Sequence, residues 1–195
     1  MTNGLRERKK AKTRAAIRDH ALRLFEERGY AATTVDQIAD AAEVSPSTFF
    51  RYFPTKEDVI LVDDVDEVLL GAIRAQPAGI PPIEAIRRAM REVFDAMSPA
   101  AWEFERRRQR LVLTVPELRM RMLQQMTEAI DLMAGVIAER TGRPADDFAA
   151  RVTAGAAVGA MLSVLPTGHT DGVQPADFQR VEQALTLLQN GLPLD

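Results

Sequence analysis

The sequence predicts an all-α chain of about nine helices, an N-terminal three-helix domain followed by a larger helical body. Three observations predict it. Apolar residues recur at three- and four-residue spacing almost throughout, and no stretch alternates with the period of two that a strand needs. Proline, serine or threonine stands where several such stretches begin, and glycine where several end. Charge is divided unevenly: through Lys56 eleven Lys or Arg stand against seven Asp or Glu, whereas the remainder carries fourteen against twenty-one, within a net charge of -3. A basic end and an acidic body suit a protein that meets a polyanion at one end only.

Residues 1–7 show no apolar periodicity and are expected to be irregular. A first helix is predicted from about Arg8 to Arg28, with Ile17, Ala21, Leu24 and Phe25 at helical spacing and Gly29 just past its end. Arg6, Arg8, Lys9, Lys10, Lys12 and Arg14 precede that stripe and are read as sequence-independent phosphate contacts. Thr34 caps a short second helix with Val35, Ile38, Ala39 and Ala42 inward. After a turn near Glu43, Ser45 caps a third helix, with Pro46 first, where the missing N–H costs nothing. Phe49 and Phe53 turn inward, Ser47, Thr48, Arg51 and Tyr52 outward, and Pro54 closes the helix. Short hydroxyls, a guanidinium and a phenol on one helical face suit base edges and phosphates. Two short helices joined by a tight turn make a helix-turn-helix, with Pro46 to Tyr52 as the recognition helix.

The run from Ile17 to Glu57 resembles the DNA-binding domain of the tetracycline-repressor (TetR) family of bacterial regulators. The resemblance is carried by FEERGYAATTV, IADAAEVS, the aromatic cluster FFRYF, and Lys56 with Glu57 behind Thr55. It implies double-stranded operator DNA and a small-molecule effector as partners, a homodimer, and a ligand-binding, dimerising helical body beyond the reader. DNA contacts are then expected from Thr34, Val35, Ser45, Pro46, Ser47, Thr48, Phe50, Arg51, Tyr52 and Lys56. Two positions depart from the family pattern. Glu43 stands where many relatives have Gly, at a site expected to want positive φ. Phe50 stands where Tyr is usual, so it can stack or touch a thymine methyl but cannot donate to phosphate.

Thr55 is predicted to begin a longer helix to about Ala75, with Asp58 as capping-box partner and Lys56 in its first turn, beside a phosphate. This helix is expected to be the only covalent path from reader to body. The acidic run Asp63, Asp64, Asp66 and Glu67 reads as a solvated helix face rather than a metal site. The turn-rich stretch from Pro77 to Pro82 gives the expected division: 1–56 the DNA-binding domain, 57–79 a linking helix and turn, 80–195 the ligand-binding and dimerisation domain.

In the body, Ile83, Ile86, Met90, Val93, Phe94 and Met97 mark an amphipathic helix. Ser98 and Pro99 start the next, which carries Trp102, Phe104, Leu111 and four arginines. A long helix ending at Gly142 follows, striped by Leu118, Met122, Met126, Ile130, Met133 and Ile137. The next, about Pro144 to Leu165, carries Gly155 and Gly159 among alanines, and a loop with Gly168, His169 and Gly172 leads to a last helix from about Pro175. Gly155 and Gly159 with the stripe Phe178, Val181, Leu185 and Leu188 are expected to form the dimer interface.

A deformable apolar ligand pocket is expected among Phe94, Met97, Trp102, Phe104, Met122, Met126, Ile130, Met133 and Met161. Arg106 and Arg108 lie on opposite faces of their helix, so one must turn inward. Either Glu103 and Glu105 pair with the arginines, or the inward arginine holds an anionic head group at the pocket mouth. The segment EFERRRQRL followed by TVPELR resembles a TetR subgroup with acyl-coenzyme A-like ligands, which implies the second.

Enzymatic activity is not expected, and neither is a cofactor or a metal. His20 and His169 are the only histidines, no cysteine can serve as nucleophile, and no phosphate-binding glycine loop is present. The absence of cysteine, of a signal-peptide pattern and of a spanning apolar run points to a cytoplasmic protein.

Overall fold

The computed structural model describes residues 3–62, 64–164 and 175–193. Among them are ten helices and no strand. The chain divides into two compact units, Met1–Val62 with Leu111–Arg119, and Asp63–Arg110 with Met120–Asp195.

In the first unit α1 (Asn3–Arg28) packs against α2 (Val35–Ala41) and α4 (Asp58–Leu61), and α2 against α3 (Pro46–Tyr52). The core is Ile17, Ala21, Leu22 and Phe25 of α1, Ile38 and Ala39 of α2, Phe49 and Phe53 around α3, and Val59 and Ile60 of α4. Leu111, Val112 and Leu118 are also buried in the residues that belong to this unit. They come from the end of α7 (Pro99–Thr114) and the start of α8 (Pro116–Thr141). The chain therefore passes between the units three times, and the linking helix is not the only covalent path.

Helix limits in the N-terminal part of the chain differ from those expected at two places. The first helix begins at Asn3, not near Arg8, because an exposed polar turn extends a helix already nucleated without needing an apolar face. The predicted helix from Thr55 to Ala75 is two helices, α4 and α5 (Asp64–Ala75), separated at Val62 with φ -78° and ψ 110°. Asp58, Val59, Ile60 and Leu61 are all buried, and four consecutive residues engulfed on every side cannot continue as one face of an amphipathic helix.

In the second unit α5 packs on α6 (Pro82–Asp95), and α6 on α9 (Phe148–Ser163) and α10 (Pro175–Gln189), which also pack together. Ile73, Ile86, Met90, Met133, Ile137, Val181 and Leu185 share one core. Ala150, Ala154 and Ala157 are the small residues that bring α9 close to it. The penultimate helix starts at Phe148, not near Pro144, since the Asp147 carboxylate accepts the Ala150 N–H at 2.8 Å and caps it there. Leu165, Gly168, His169, Gly172, Asp63 and the side chains of Asp64 and Asp66 lie outside the described residues.

Candidate nucleic-acid interface and ligand cavity

The interface is built from caps. Thr34 Oγ1 accepts the Gln37 N–H at 3.2 Å while the Gln37 side chain accepts the Thr34 N–H at 3.1 Å, a reciprocal box that fixes where α2 begins. At its other end the Glu43 N–H reaches Asp40 O at 3.1 Å and the Val44 N–H reaches Ala39 O at 2.9 Å, the paired bonds of a Schellman turn. The residue between them, Glu43, has φ 55°. A side chain thus sits where glycine is the unstrained choice, and the turn still closes.

Ser45 caps α3 by accepting the Thr48 N–H at 3.1 Å. Its hydroxyl also lies 2.9 Å from Ser47 Oγ and 3.0 Å from Thr48 Oγ1, so three hydroxyls are oriented by one another before any partner arrives. Phe49 and Phe53 are fully buried beneath them. Ser47, Phe50 and Arg51 are exposed, Pro46 is exposed at the first position, and Thr48, Tyr52 and Val35 are half-buried. The Arg51 guanidinium lies 5.5 Å from the Tyr52 ring centroid. The Phe50 ring stands edge-on to Phe49 at 5.4 Å.

A groove of about 800 Å³ runs beside α3, lined by Arg6, Lys9, Lys10 and Thr13 of α1, by Glu43 and Val44 of the turn, and by Thr48, Arg51 and Tyr52. Four cations and one carboxylate face it, a field suited to a phosphate backbone. The joining of α1 to α3 in one groove is a tertiary fact that residue spacing alone could not show.

Lys56 is placed differently from its expected position beside a phosphate. It precedes α4, and its Nζ donates to Tyr30 O at 2.9 Å and Thr33 O at 3.1 Å while lying 4.0 Å from the Tyr30 ring centroid. Two of its three N–H bonds are committed to the connection between α1 and α2, which makes it a brace. Beside it the Tyr30 hydroxyl donates to Glu57. Burial pushes the Glu57 carboxyl up, but the Tyr30 hydroxyl, a backbone N–H, Thr55 and Lys56 together hold it below the usual carboxylate range. Burial and the adjoining carboxylate raise the Tyr30 phenol. Thr55 and Asp58 cap each other, the Asp58 N–H to Thr55 Oγ1 at 3.2 Å and the Thr55 N–H to the Asp58 carboxylate at 3.0 Å.

Within the second unit a cavity of about 440 Å³ is lined by Met90, Phe94, Met97, Trp102, Phe178 and Val181, with Arg91, Asp95, Gln179 and Glu182. The Trp102 ring is 5.7 Å from Phe94 and edge-on to Phe178 at 5.0 Å. Arg91 donates to Glu182 at 2.7 Å. Of the residues expected in a pocket, Phe94, Met97 and Trp102 line this cavity; Phe104, Arg106, Arg108, Met122, Met126, Ile130, Met133 and Met161 do not. Met133 is in the core, with Ile130 and Met161 packed against it. The inward arginine is Arg108, held to Glu105 at 2.6 and 2.7 Å, and Arg106 pairs with Glu103 at 2.8 Å.

Phe178 and Val181, expected at a dimer interface, also line the cavity, and Val181 and Leu185 are buried inside their own unit. Buried there, they have no surface to offer a partner; Leu188 is half-buried. A Cβ on Gly155 or Gly159 would meet nothing within 4 Å in this chain. Phe148 and Val152, spaced to share that side of α9, are 79% and 52% exposed, and neither belongs to the stripes that mark the helices by their spacing. Among the described residues no group of three or more His, Cys, Asp or Glu is arranged to hold a metal, and no helix is long and apolar enough to cross a membrane.

Capped short helices, a hydroxyl-bearing recognition helix and a cationic groove beside it define a helix-turn-helix DNA-binding protein. Residues 17–62 match the family described as bacterial regulatory proteins, tetR family, and residues 80–193 match the MftR C-terminal domain. The chain belongs to the TetR family and is a DNA-binding transcriptional regulator. It is 39% identical over 151 residues to the transcriptional regulator TcmR of Streptomyces glaucescens, covering 74% of this chain and 67% of that protein. To MftR of Mycobacterium tuberculosis it is 28% identical, covering 80% and 79%. Its fold is similar to that of Thermus thermophilus FadR, a TetR-family repressor solved with lauroyl-CoA, at TM-score 0.51 and 26% identity over 93% of this chain and 96% of that one.

Proposed function

We propose that this regulator is a cytoplasmic homodimeric repressor that grips a palindromic operator with two copies of α3 and is released by a small apolar or amphipathic effector. The observation that carries the DNA half is the groove in which Arg6, Lys9, Lys10 and Arg51 converge beside α3. Ser47, Thr48 and Arg51 read base edges, Phe50 offers only an apolar ring, and Tyr52 and the α1 cations hold the backbone. The aromatic cavity around Trp102 supports the effector half, since its volume and lining are those of a small-ligand site.

Dimerisation through the outer face of α9 is supported by the open space at Gly155 and Gly159 and the exposure of Phe148 and Val152. Gly159→Leu would leave the fold intact and block assembly, which sedimentation reads directly. The whole reading is tested by sequencing genomic fragments retained by the purified protein. Two inverted half-sites support it; retained fragments with no shared sequence overturn it.

A second reading of the effector, an acyl-coenzyme A thioester, is favoured by the lauroyl-CoA found with Thermus thermophilus FadR. Here Arg106 and Arg108 are each committed to a carboxylate, so an anionic head group must compete with Glu103 or Glu105.

A further inference from the structure

The charges around the aromatic cavity of the second unit do not balance. Arg91, Asp95 and Glu182 line it, one cation against two carboxylates. Arg91 and Asp95 stand four residues apart on α6, the spacing at which a helix pairs opposite charges. The Arg91 guanidinium crosses instead to α10, with Nε 2.7 Å and Nη2 2.5 Å from Glu182 Oε1. Among the described residues the Asp95 carboxylate is left without an ion-pair partner. Asp95 is also the last residue of α6, whose last turn carries no basic side chain. A carboxylate there adds to the negative end of the helix dipole, an arrangement that costs stability when nothing offsets it. A local rule broken at the rim of a cavity points to binding rather than to folding.

The walls repeat the same sign. Trp102 and Phe178 meet at 80° with centroids 5.0 Å apart, and Phe94 lies 5.7 Å from Trp102. Two rings near a right angle make the corner of a box, and the face of an aromatic ring carries negative potential. Such faces attract a cation within about 6 Å, most strongly once it has left water. Met90, Met97 and Val181 complete the lining, so the cation must also carry hydrocarbon.

We propose that the cavity takes a cationic amphiphile, a substituted ammonium on an aromatic or aliphatic body, with Asp95 as its counter-charge and Phe94, Trp102 and Phe178 as its cage. This rests on the reading above that the cavity holds a small effector, and it gives that effector its charge. An anionic head group would meet Asp95 and the negative end of α6, with Arg91 already committed to Glu182.

The test uses full-length protein and three probes that share a phenyl ring and a tetrahedral head: phenyltrimethylammonium, its neutral isostere tert-butylbenzene, and anionic benzenesulfonate. Binding is read twice, by the fluorescence of Trp102, the only tryptophan, and by the shift in thermal midpoint. The cation is expected to bind about tenfold more tightly than the neutral isostere, and the sulfonate more weakly than either. Asp95→Asn, at an exposed position, should lower the cation-to-neutral ratio of affinities about three- to fivefold. Phe178→Leu removes the ring and keeps an apolar side chain; it should lower the same ratio, whereas a merely structural loss would weaken both probes alike. A neutral or anionic probe that binds as tightly as the cation, or a ratio unchanged in either variant, overturns the cation assignment and leaves the effector reading standing. If none of the three binds at millimolar concentration, or at saturation for tert-butylbenzene, the cavity holds no small ligand and the effector reading falls together with the assignment.

Discussion

Glu43 serves two opposed ends, and substitution separates them. With φ 55° it carries the penalty of an L-residue in the left-handed region, about 1 to 2 kcal/mol. Glycine removes that penalty but gives the unfolded chain more freedom, about 0.4 to 1 kcal/mol in the other direction. Glu43→Gly should therefore stabilise by about 0.5 to 1 kcal/mol, a rise of about 0.25 to 0.5 M in urea midpoint at a slope of about 2 kcal/mol/M. Glu43 is also the one carboxylate lining the groove with Arg6, Lys9, Lys10 and Arg51. Its removal should tighten DNA binding two- to fivefold at about 0.1 M salt, the worth of an exposed charge contact of about 0.5 to 1 kcal/mol. Glu43→Gln keeps the backbone strain and removes the charge, so it should gain affinity without stability. Urea titrations and salt-dependent binding to a fluorescent duplex read the two effects separately. If the glycine variant is no more stable than the glutamine variant, the turn is not strained; if the glutamine variant binds as wild type does, the carboxylate does not face phosphate.

Arg51→Ala should cost about 1 to 3 kcal/mol on the operator and relax preference at one base pair per half-site, read by competition with single-position operator variants. Lys56→Ala should leave the salt slope unchanged and lower stability by about 1 to 2 kcal/mol, because its Nζ braces Tyr30 and Thr33 carbonyls. The Tyr30–Glu57 pair sets two pH limits. Glu57, held below its ordinary value of 4.5, contributes stability that is full above pH 4.5 and lost as pH falls through its folded value; Tyr30, raised above 10.0, contributes stability that is full below pH 10 and lost as pH rises through its folded value. Tyr30→Phe should shrink both limbs of a plot of urea midpoint against pH. Trp102 is the only tryptophan and lines the cavity, so its fluorescence should report effector binding. Quenching by lauroyl-CoA, lost in Arg108→Gln, would favour the acyl thioester; quenching only by neutral apolar compounds would exclude it.

The reader was legible because its signals are local. Thr34 and Ser45 with Pro46 each fix a helix start within four residues, and each makes its capping bond; Thr55 and Asp58 make their reciprocal bonds as well, but the helix opens only at Asp58, behind Glu57, which caps nothing with its side chain. The positive φ at Glu43 was expected from the resemblance, because many relatives have glycine at that turn position. Where the outcome depends on packing, the same patterns were ambiguous. A stripe such as Phe178, Val181, Leu185 and Leu188 says that one face is covered, but not whether its own chain or a second copy covers it. Spacing likewise said that Arg106 or Arg108 turns inward, while only tertiary structure distinguishes them and shows both carboxylate partners. Lys56 had no local marker of the carbonyls it meets, since Tyr30 and Thr33 are distant in sequence.

The capture of Leu111–Arg119 by the DNA-reading unit bears on whether that unit can exist alone. Leu111, Val112 and Leu118 are 9%, 1% and 0% exposed. Burying such side chains is worth about 1.5 to 3 kcal/mol each, so about 4.5 to 9 kcal/mol of apolar burial is supplied by the α7–α8 corner. A domain of this size seldom has more than about 3 to 5 kcal/mol from its core. A fragment of residues 1–62, although it holds the entire helix-turn-helix, should therefore be unfolded or only marginally stable, with weak helical circular dichroism and no cooperative urea transition. A cooperative transition at the full-length midpoint would show that the corner contributes nothing and refute the reasoning. If the fragment fails to fold, the helix carrying Trp102 is also a structural part of the reader.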